Sequence, residues 1–259
     1  MAKKILILGG TAEARALAER LARRGGLDVT LSLAGRTAAP ARQAVPVRVG
    51  GFGGPDGLAD YLKRERIDVL IDATHPYASI ISANAATAAR AADISLIALQ
   101  RPAWTPIAGD RWTEVKDVAA ALDVLGRTAK RVFITLGRNE LAPLQSAPQH
   151  FYLIRSVDPI EPPLALPHAH YVTARGPFAE ADERALMTAQ RIDVVIAKNS
   201  GGTATYGKIA AARALGIAVI ILRRPPAPEM AAVHSVDEAL RALDHALTSA
   251  AAAAAARGV

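Results

Sequence analysis

Short apolar runs of strand length alternate with helix-length segments along almost the whole chain, and this rhythm limits the possible folds more than any single residue does. Strands are expected at Lys4–Leu8, Val29–Leu33, Val69–Ala73 and Ser95–Leu99, with a short extended piece near Val45–Val49 and helices over Ala12–Arg23, Pro55–Glu65 and Ser79–Ala92. A helix over Val115–Leu125 then leads to a second series, which starts with strands at Arg131–Leu136, Phe151–Ile154 and Tyr171–Ala174. It continues through a helix over Ala179–Arg191, a strand at Val194–Ala197, a helix over Ala204–Leu215, a strand at Ile217–Leu222 and a last helix from about Val236. Runs such as Ile5-Leu6-Ile7-Leu8 read as buried parallel strands, so the fold class is α/β with parallel sheets flanked by helices. A domain boundary is expected near Gly126, dividing the chain into residues 1–126 and 127–259. Asp158–Pro167, with its four prolines, reads as a loop, and the alanine run Ala250–Ala256 as a frayed helical extension.

Gly-Gly-Thr occurs twice, at Gly9-Gly10-Thr11 and Gly201-Gly202-Thr203, each time between an apolar β-type run and a helix-forming stretch. Glycines there let backbone amides approach a phosphate, while the helix N-terminus supplies positive partial charge. Two such turns suggest two α/β halves serving one ligand. Gly9-Gly10-Thr11-Ala12-Glu13-Ala14-Arg15 holds only part of the Gly-x-Gly-x-x-Gly fingerprint. Thr11 is expected to add a hydroxyl to the phosphate cradle, and Arg15, one helical turn on, faces either ligand or solvent. The second strand ends as Leu31-Ser32-Leu33-Ala34-Gly35-Arg36-Thr37, without the Asp or Glu that holds the ribose of NAD. Ser32 and Arg36 suit the 2′-phosphate of NADP instead; a solvated loop arginine is the plain alternative.

Asp72-Ala73-Thr74-His75-Pro76-Tyr77-Ala78 follows a strand at the carboxyl edge, where open α/β sheets bind ligands. Thr74 offers a donor there and Tyr77 a flat surface for a ring. In the second half, Arg138 and Arg175 both follow strands and suit a carboxylate-binding rim, with surface ion pairs as the alternative. Lys198-Asn199-Ser200-Gly201-Gly202-Thr203 packs a cation, an amide, two hydroxyls and free backbone donors into six residues. Tyr206 and Lys208 follow it, within reach of ligand or solvent.

Composition removes several functional classes. With no cysteine there are no disulfides, thiolate nucleophiles or Cys-based metal sites. His168-Ala-His170 lacks an acidic cluster, so no metal site is expected. No apolar run approaches the roughly 20 residues that span a bilayer, and the start is too short in apolar residues for a signal peptide; a cytoplasmic protein without membrane contact is expected. The net charge of +7 favours anionic partners. Nucleic acid is not expected among them, since only 4% of residues are aromatic and no recognised motif is present. There is no Tyr followed four residues later by Lys, no Gly-x-Ser-x-Gly elbow and no Walker-type phosphate loop. No heptad seam is evident, so a monomer is expected.

Taken together, Ile7–Arg15, Asp72–Ala78, Arg101-Pro102-Ala103-Trp104 and Lys198–Thr203 resemble the precorrin-6A reductase family of cobalamin biosynthesis, in the family's order and across nearly the whole chain. The resemblance implies two Rossmann-like domains with a ligand cleft between them. It also implies an NADPH-dependent oxidoreductase that reduces one carbon–carbon double bond of the anionic tetrapyrrole precorrin-6A to give precorrin-6B. On that reading Gly9, Gly10, Thr11, Ser32 and Arg36 bind NADPH, with Thr74 and His75 beside the nicotinamide. Asn199, Ser200, Gly201, Gly202 and Thr203 complete the cofactor site, while Arg15, Arg101, Arg138, Arg175 and Lys208 meet substrate carboxylates. Lys198, His75, Tyr77 and Tyr206 are the candidate proton donors, with solvent as the alternative.

Overall fold

The computed structural model describes residues 2–35, 42–226 and 231–257, with side chains through residue 249. The first elements are β1 (Lys3–Leu8), α1 (Ala12–Leu21), β2 (Leu27–Leu33), β3 (Val47–Val49), α2 (Gly54–Glu65), β4 (Val69–Asp72), α3 (Ser79–Ala92) and β5 (Ser95–Leu99). Next come β6 (Trp112–Val115), α4 (Val118–Leu125), β7 (Arg131–Thr135), short 3-10 turns at Arg138–Glu140 and Ala142–Ser146, β8 (Phe151–Ser156) and β9 (Ala169–Thr173). The chain closes with α5 (Glu180–Ala189), β10 (Val194–Lys198), α6 (Gly207–Ala214), β11 (Ala218–Leu222), β12 (Ala232–Val233) and α7 (Val236–Arg257).

Two six-stranded sheets result, in the orders β3-β2-β1-β4-β5-β12 and β9-β8-β7-β10-β11-β6. Every strand pair is parallel. Both are doubly wound Rossmann-type sheets, as the alternating rhythm requires. The sixth strand of each is out of chain order, which corrects the expected boundary near Gly126. Trp112–Val115 pairs with β11, so the chain has joined the second sheet before Gly126. After Arg224 it returns to the first sheet, where Ala232 and Val233 pair with Ala98 and Leu99. The units are therefore residues 1–102 with 225–259, and residues 103–224.

Alternation along β1 organises the first unit's core. Ile5 and Ile7 pack with Leu17, Leu21, Ala239 and Leu243 of α1 and α7. Leu6 and Leu8 pack with Leu58, Leu62, Ala85 and Ala88 of α2 and α3 on the other face. In the second unit Phe133, Leu153, Val195 and Ile221 pack against Met187 of α5 and Ile209 and Ala212 of α6. Gly207 permits α6 to approach α5: a Cβ there would lie 2.4 Å from the Phe178 carbonyl oxygen. The helix α6 begins at Gly207, three residues later than its sequence suggested.

Candidate functional site

The strand order reverses beside β1 in the first sheet and beside β7 in the second, and the crevice outside the carboxyl ends at that reversal is where such sheets bind ligands. In the first unit the reversal lies between β1 and β4, flanked by the loops Gly9–Thr11 and Thr74–Tyr77. A Cβ on Gly9 would lie 2.6 Å from Leu31 Cδ1, so any larger residue there would have to displace the Leu31 side chain. Gly10 has φ +114°, and a Cβ there would have no neighbour within 4 Å. Its backbone conformation, not crowding, calls for glycine, and the space beside it is open.

Thr11 caps α1: its Oγ1 accepts from the Ala14 amide at 3.1 Å and donates to the Ala73 carbonyl at 2.7 Å. The hydroxyl expected in a phosphate cradle thus ties the two loops together. Thr74 is likewise held, its amide and hydroxyl donating to Asp72 Oδ1 at 3.0 and 2.7 Å. Asp72 is 1% exposed and its Oδ2 has no hydrogen-bond partner among the described residues. Beyond it, His75 Nδ1 accepts from the Tyr77 amide at 3.3 Å, and the two rings lie 5.6 Å apart.

These residues fit a dinucleotide. The first-turn amides of α1 have no intrahelical acceptors, the helix dipole adds positive partial charge, and Gly10 leaves room beside them. Glu13 in that turn is paired with Arg101, which removes a negative charge from an anion site. Arg101, expected at substrate carboxylates, makes this pair, and Arg15 pairs with Glu19 at 3.0 Å on the exposed side of α1. Ser32 is 5% exposed at the end of β2, while Arg36 lies outside the described residues.

The second unit is arranged differently at its reversal, between β7 and β10. No α-helix follows β7; the 3-10 turn Arg138–Glu140 stands there, with Arg138 exposed. Lys198, ending β10, bonds Glu140 Oε1 at 2.6 Å, and Glu140 Oε2 accepts from the Gly137 amide at 3.0 Å. Arg175, after β9, is also exposed. Arg138, Arg175 and Lys198 therefore share the carboxyl edge of one sheet.

Asn199–Thr203 is a braced loop. Asn199 Oδ1 accepts from the Trp104 amide at 2.8 Å, and Nδ2 donates to the Trp104 carbonyl at 2.9 Å. Trp104 Nε1 donates to Gly202 O at 2.8 Å, and Arg224 donates to the carbonyls of Asn199 and Ser200 at 2.8 and 3.0 Å. The Asn199 amide, expected on the cofactor, is thus used at both ends within the protein. Lys208, expected at substrate, is 4% exposed, donates to Thr205 O at 2.7 Å and lies 5.3 Å from the Trp104 ring centroid. The Tyr206 hydroxyl accepts from the Arg213 guanidinium at 3.2 and 3.3 Å.

Sequence reasoning missed Arg48, Glu140 and the Trp104 brace. At the opposite, amino edge of the second sheet, burial lowers the His150 pKa and pushes the Tyr152 phenol up to about 12.

The two sheets and their glycine turns define a Rossmann-like α/β protein with two doubly wound units. The model of the precorrin-6x reductase family CbiJ/CobK matches residues 4–244, and the chain belongs to that family. It is 56% identical over 247 residues to the precorrin-6A reductase of Sinorhizobium sp, covering 95% of each chain. It is 48% identical to the precorrin-6A reductase of Rhodobacter capsulatus, over 87% of this chain and 89% of the relative. A solved structure of CobK precorrin-6A reductase, 45% identical, superposes with a TM-score of 0.91 over 94% of this chain and 96% of that one. Membership of a reductase family implies a nicotinamide cofactor. No helix among the described residues is long and apolar enough to cross a membrane.

Proposed function

We propose that this protein reduces one carbon–carbon double bond of the precorrin-6A macrocycle with NADPH, giving precorrin-6B. The near full-length match to precorrin-6A reductases carries the reading. Relatives named for the metal-free substrate are 44–56% identical, whereas those named for cobalt-precorrin-6A are 29–31% identical, which favours the metal-free compound.

Bound NADPH supplies a hydride to one carbon of the double bond, and the neighbouring carbon takes a proton. The start of α1 and the Gly10 backbone hold the pyrophosphate, Ser32 and Arg36 the adenosine end, and the Thr74–Tyr77 loop lies beside the nicotinamide. Arg138 and Arg175 take acetate and propionate carboxylates of the macrocycle, for which the net charge of +7 is suited. Lys198 is the favoured proton donor, because Glu140 orients its ammonium at the carboxyl edge, whereas the Tyr206 hydroxyl is engaged by Arg213. Lys198→Met is expected to lower kcat about 100-fold with NADPH affinity unchanged; an unaltered kcat would remove Lys198 as the donor.

The reaction is tested by anaerobic NADPH oxidation with precorrin-6A and with its cobalt form, supplied separately. Oxidation with precorrin-6A, accompanied by a product two mass units heavier, is expected. No oxidation with either substrate would overturn the reading.

A further inference from the structure

We propose that Arg48, supported by Ser32 and Phe52, is a residue that selects NADPH over NADH by binding the 2′-phosphate; this rests on the dinucleotide reading above. Arg48 is the middle residue of β3, and its register partner on β2 is Ser32. Both strands end at the carboxyl edge, and in a doubly wound sheet the end of the second strand lies beside the adenosine ribose. Here that end is Leu33-Ala34-Gly35, with no carboxylate to hold a 2′-hydroxyl.

The Arg48 guanidinium is fixed before any ligand arrives. Its carbon lies 3.7 Å from the centroid of the Phe52 ring, and its nitrogens donate to Gly50 O at 2.6 Å and Gly51 O at 2.7 Å. One nitrogen is 3.5 Å from Ser32 Oγ. Phe52 is in turn braced edge-on by Tyr61, with centroids 5.1 Å apart. Neutral carbonyls and a ring orient this cation without cancelling its charge, and among the described residues no carboxylate lies within ion-pair distance of it. A half-buried guanidinium with its charge uncompensated has an electrostatic deficit that a phosphate dianion removes. The two carbonyls use one N–H on each terminal nitrogen of the planar fork, and the guanidinium's remaining donors are left for phosphate oxygens. The Ser32 hydroxyl, 5% exposed, stands beside it as a further donor.

The plain alternative is that Arg48 only pins the turn between β3 and α2 through the two glycine carbonyls. Four probes separate the roles: NADPH, NADH, 2′,5′-ADP and 5′-AMP, titrated onto the full-length protein by calorimetry. Arg48→Gln removes the charge, and Arg48→Lys keeps it while removing the fork. Arg48→Gln is expected to weaken NADPH and 2′,5′-ADP by about 10- to 100-fold, the loss of a charge-assisted hydrogen bond or two. NADH and 5′-AMP should change by no more than about twofold, because they lack the group Arg48 would contact. Arg48→Lys should fall between wild type and Arg48→Gln for the two phosphorylated probes. If Arg48→Gln does not fold, the Lys variant alone decides: equal losses for phosphorylated and unphosphorylated probes, or no loss at all, would overturn the assignment. Wild-type protein that binds NADPH and NADH equally would also overturn it while leaving dinucleotide binding intact. Wild-type protein that binds neither would overturn the dinucleotide reading itself, and the Arg48 assignment with it.

Discussion

The two Gly-Gly-Thr turns are alike in sequence but occupy different places in their sheets. Gly9-Gly10-Thr11 follows β1, whereas Gly201-Gly202-Thr203 follows β10, whose position in the second sheet is that of β4 in the first. The topological counterpart of the first turn is Gly137-Arg138-Asn139-Glu140, where an α-helix start is replaced by a 3-10 turn bearing an arginine. Backbone amides and a helix dipole are thus available to a phosphate in the first unit, while the second offers side-chain cations suited to carboxylates. The ties across the reversals differ in the same sense. A neutral Thr11 hydroxyl bonds Ala73 in one unit, and the Lys198 ammonium bonds Glu140 in the other. Similar turn sequences therefore need not mean similar ligands; the position of the strand in front of them decides.

The largest expected effect tests whether the second turn is the braced one. Asn199→Ala leaves two backbone groups of half-buried Trp104 unpaired, and should destabilise the second unit by about 2–4 kcal/mol. Both tryptophans, Trp104 and Trp112, lie in that unit, so the tryptophan-fluorescence unfolding transition reports it directly. Thr11→Ala removes a helix cap in the first unit, should cost about 1–2 kcal/mol by circular dichroism, and should leave the fluorescence transition in place. A larger cost at Thr11 than at Asn199 would break the contrast.

A second prediction concerns charge at the first turn. Arg101→Gln unmasks Glu13 beside the α1 start and should weaken NADPH and NADH alike by about 10-fold in fluorescence titrations. Glu13→Gln in the same protein should restore binding. Failure of that rescue would mean that Arg101 touches the ligand itself.

The smallest effect lies at the other edge of the second sheet. His150 is fully buried, and burial holds its imidazole pKa below the usual 6.5, with Nδ1 accepting from the Lys130 amide. The unfolded chain therefore binds this proton more readily than the folded one. The contribution of His150 to stability is complete above the unfolded value and is lost as the pH falls through the lower folded value. Denaturation midpoints read by tryptophan fluorescence should decline from pH 7 downwards, and less steeply in His150→Gln. Equal slopes would remove His150 as the cause.

Much of the fold was legible because buried parallel strands are apolar at every position and therefore stand out. Ser79–Ala92 and Ser95–Leu99 form the expected helix and strand with the expected ends. β6 escaped notice because only Val115 of its four residues is buried, so Trp-Thr-Glu-Val has no apolar run. β12 has only two residues, and without these two strands the crossing of the chain between sheets was invisible. At the site, Gly9, Gly10 and the Thr74–Tyr77 loop were readable from their strands. The Asn199 brace was not, since it joins residues 95 apart. Arg48 was hidden in a short extended piece, although the alternation Val-Arg-Val and the pairing of adjacent strands would have placed it near Ser32.

Under the proposed function, the chain delivers a hydride from NADPH to the precorrin-6A macrocycle. Anaerobic turnover with NADPH deuterated at C4 on one face or the other, in ordinary water, tests this most directly by mass spectrometry of the product. One deuterium in the product from one face only, with none from the other, is the predicted result. Reduced product free of deuterium with both cofactors would contradict the claim.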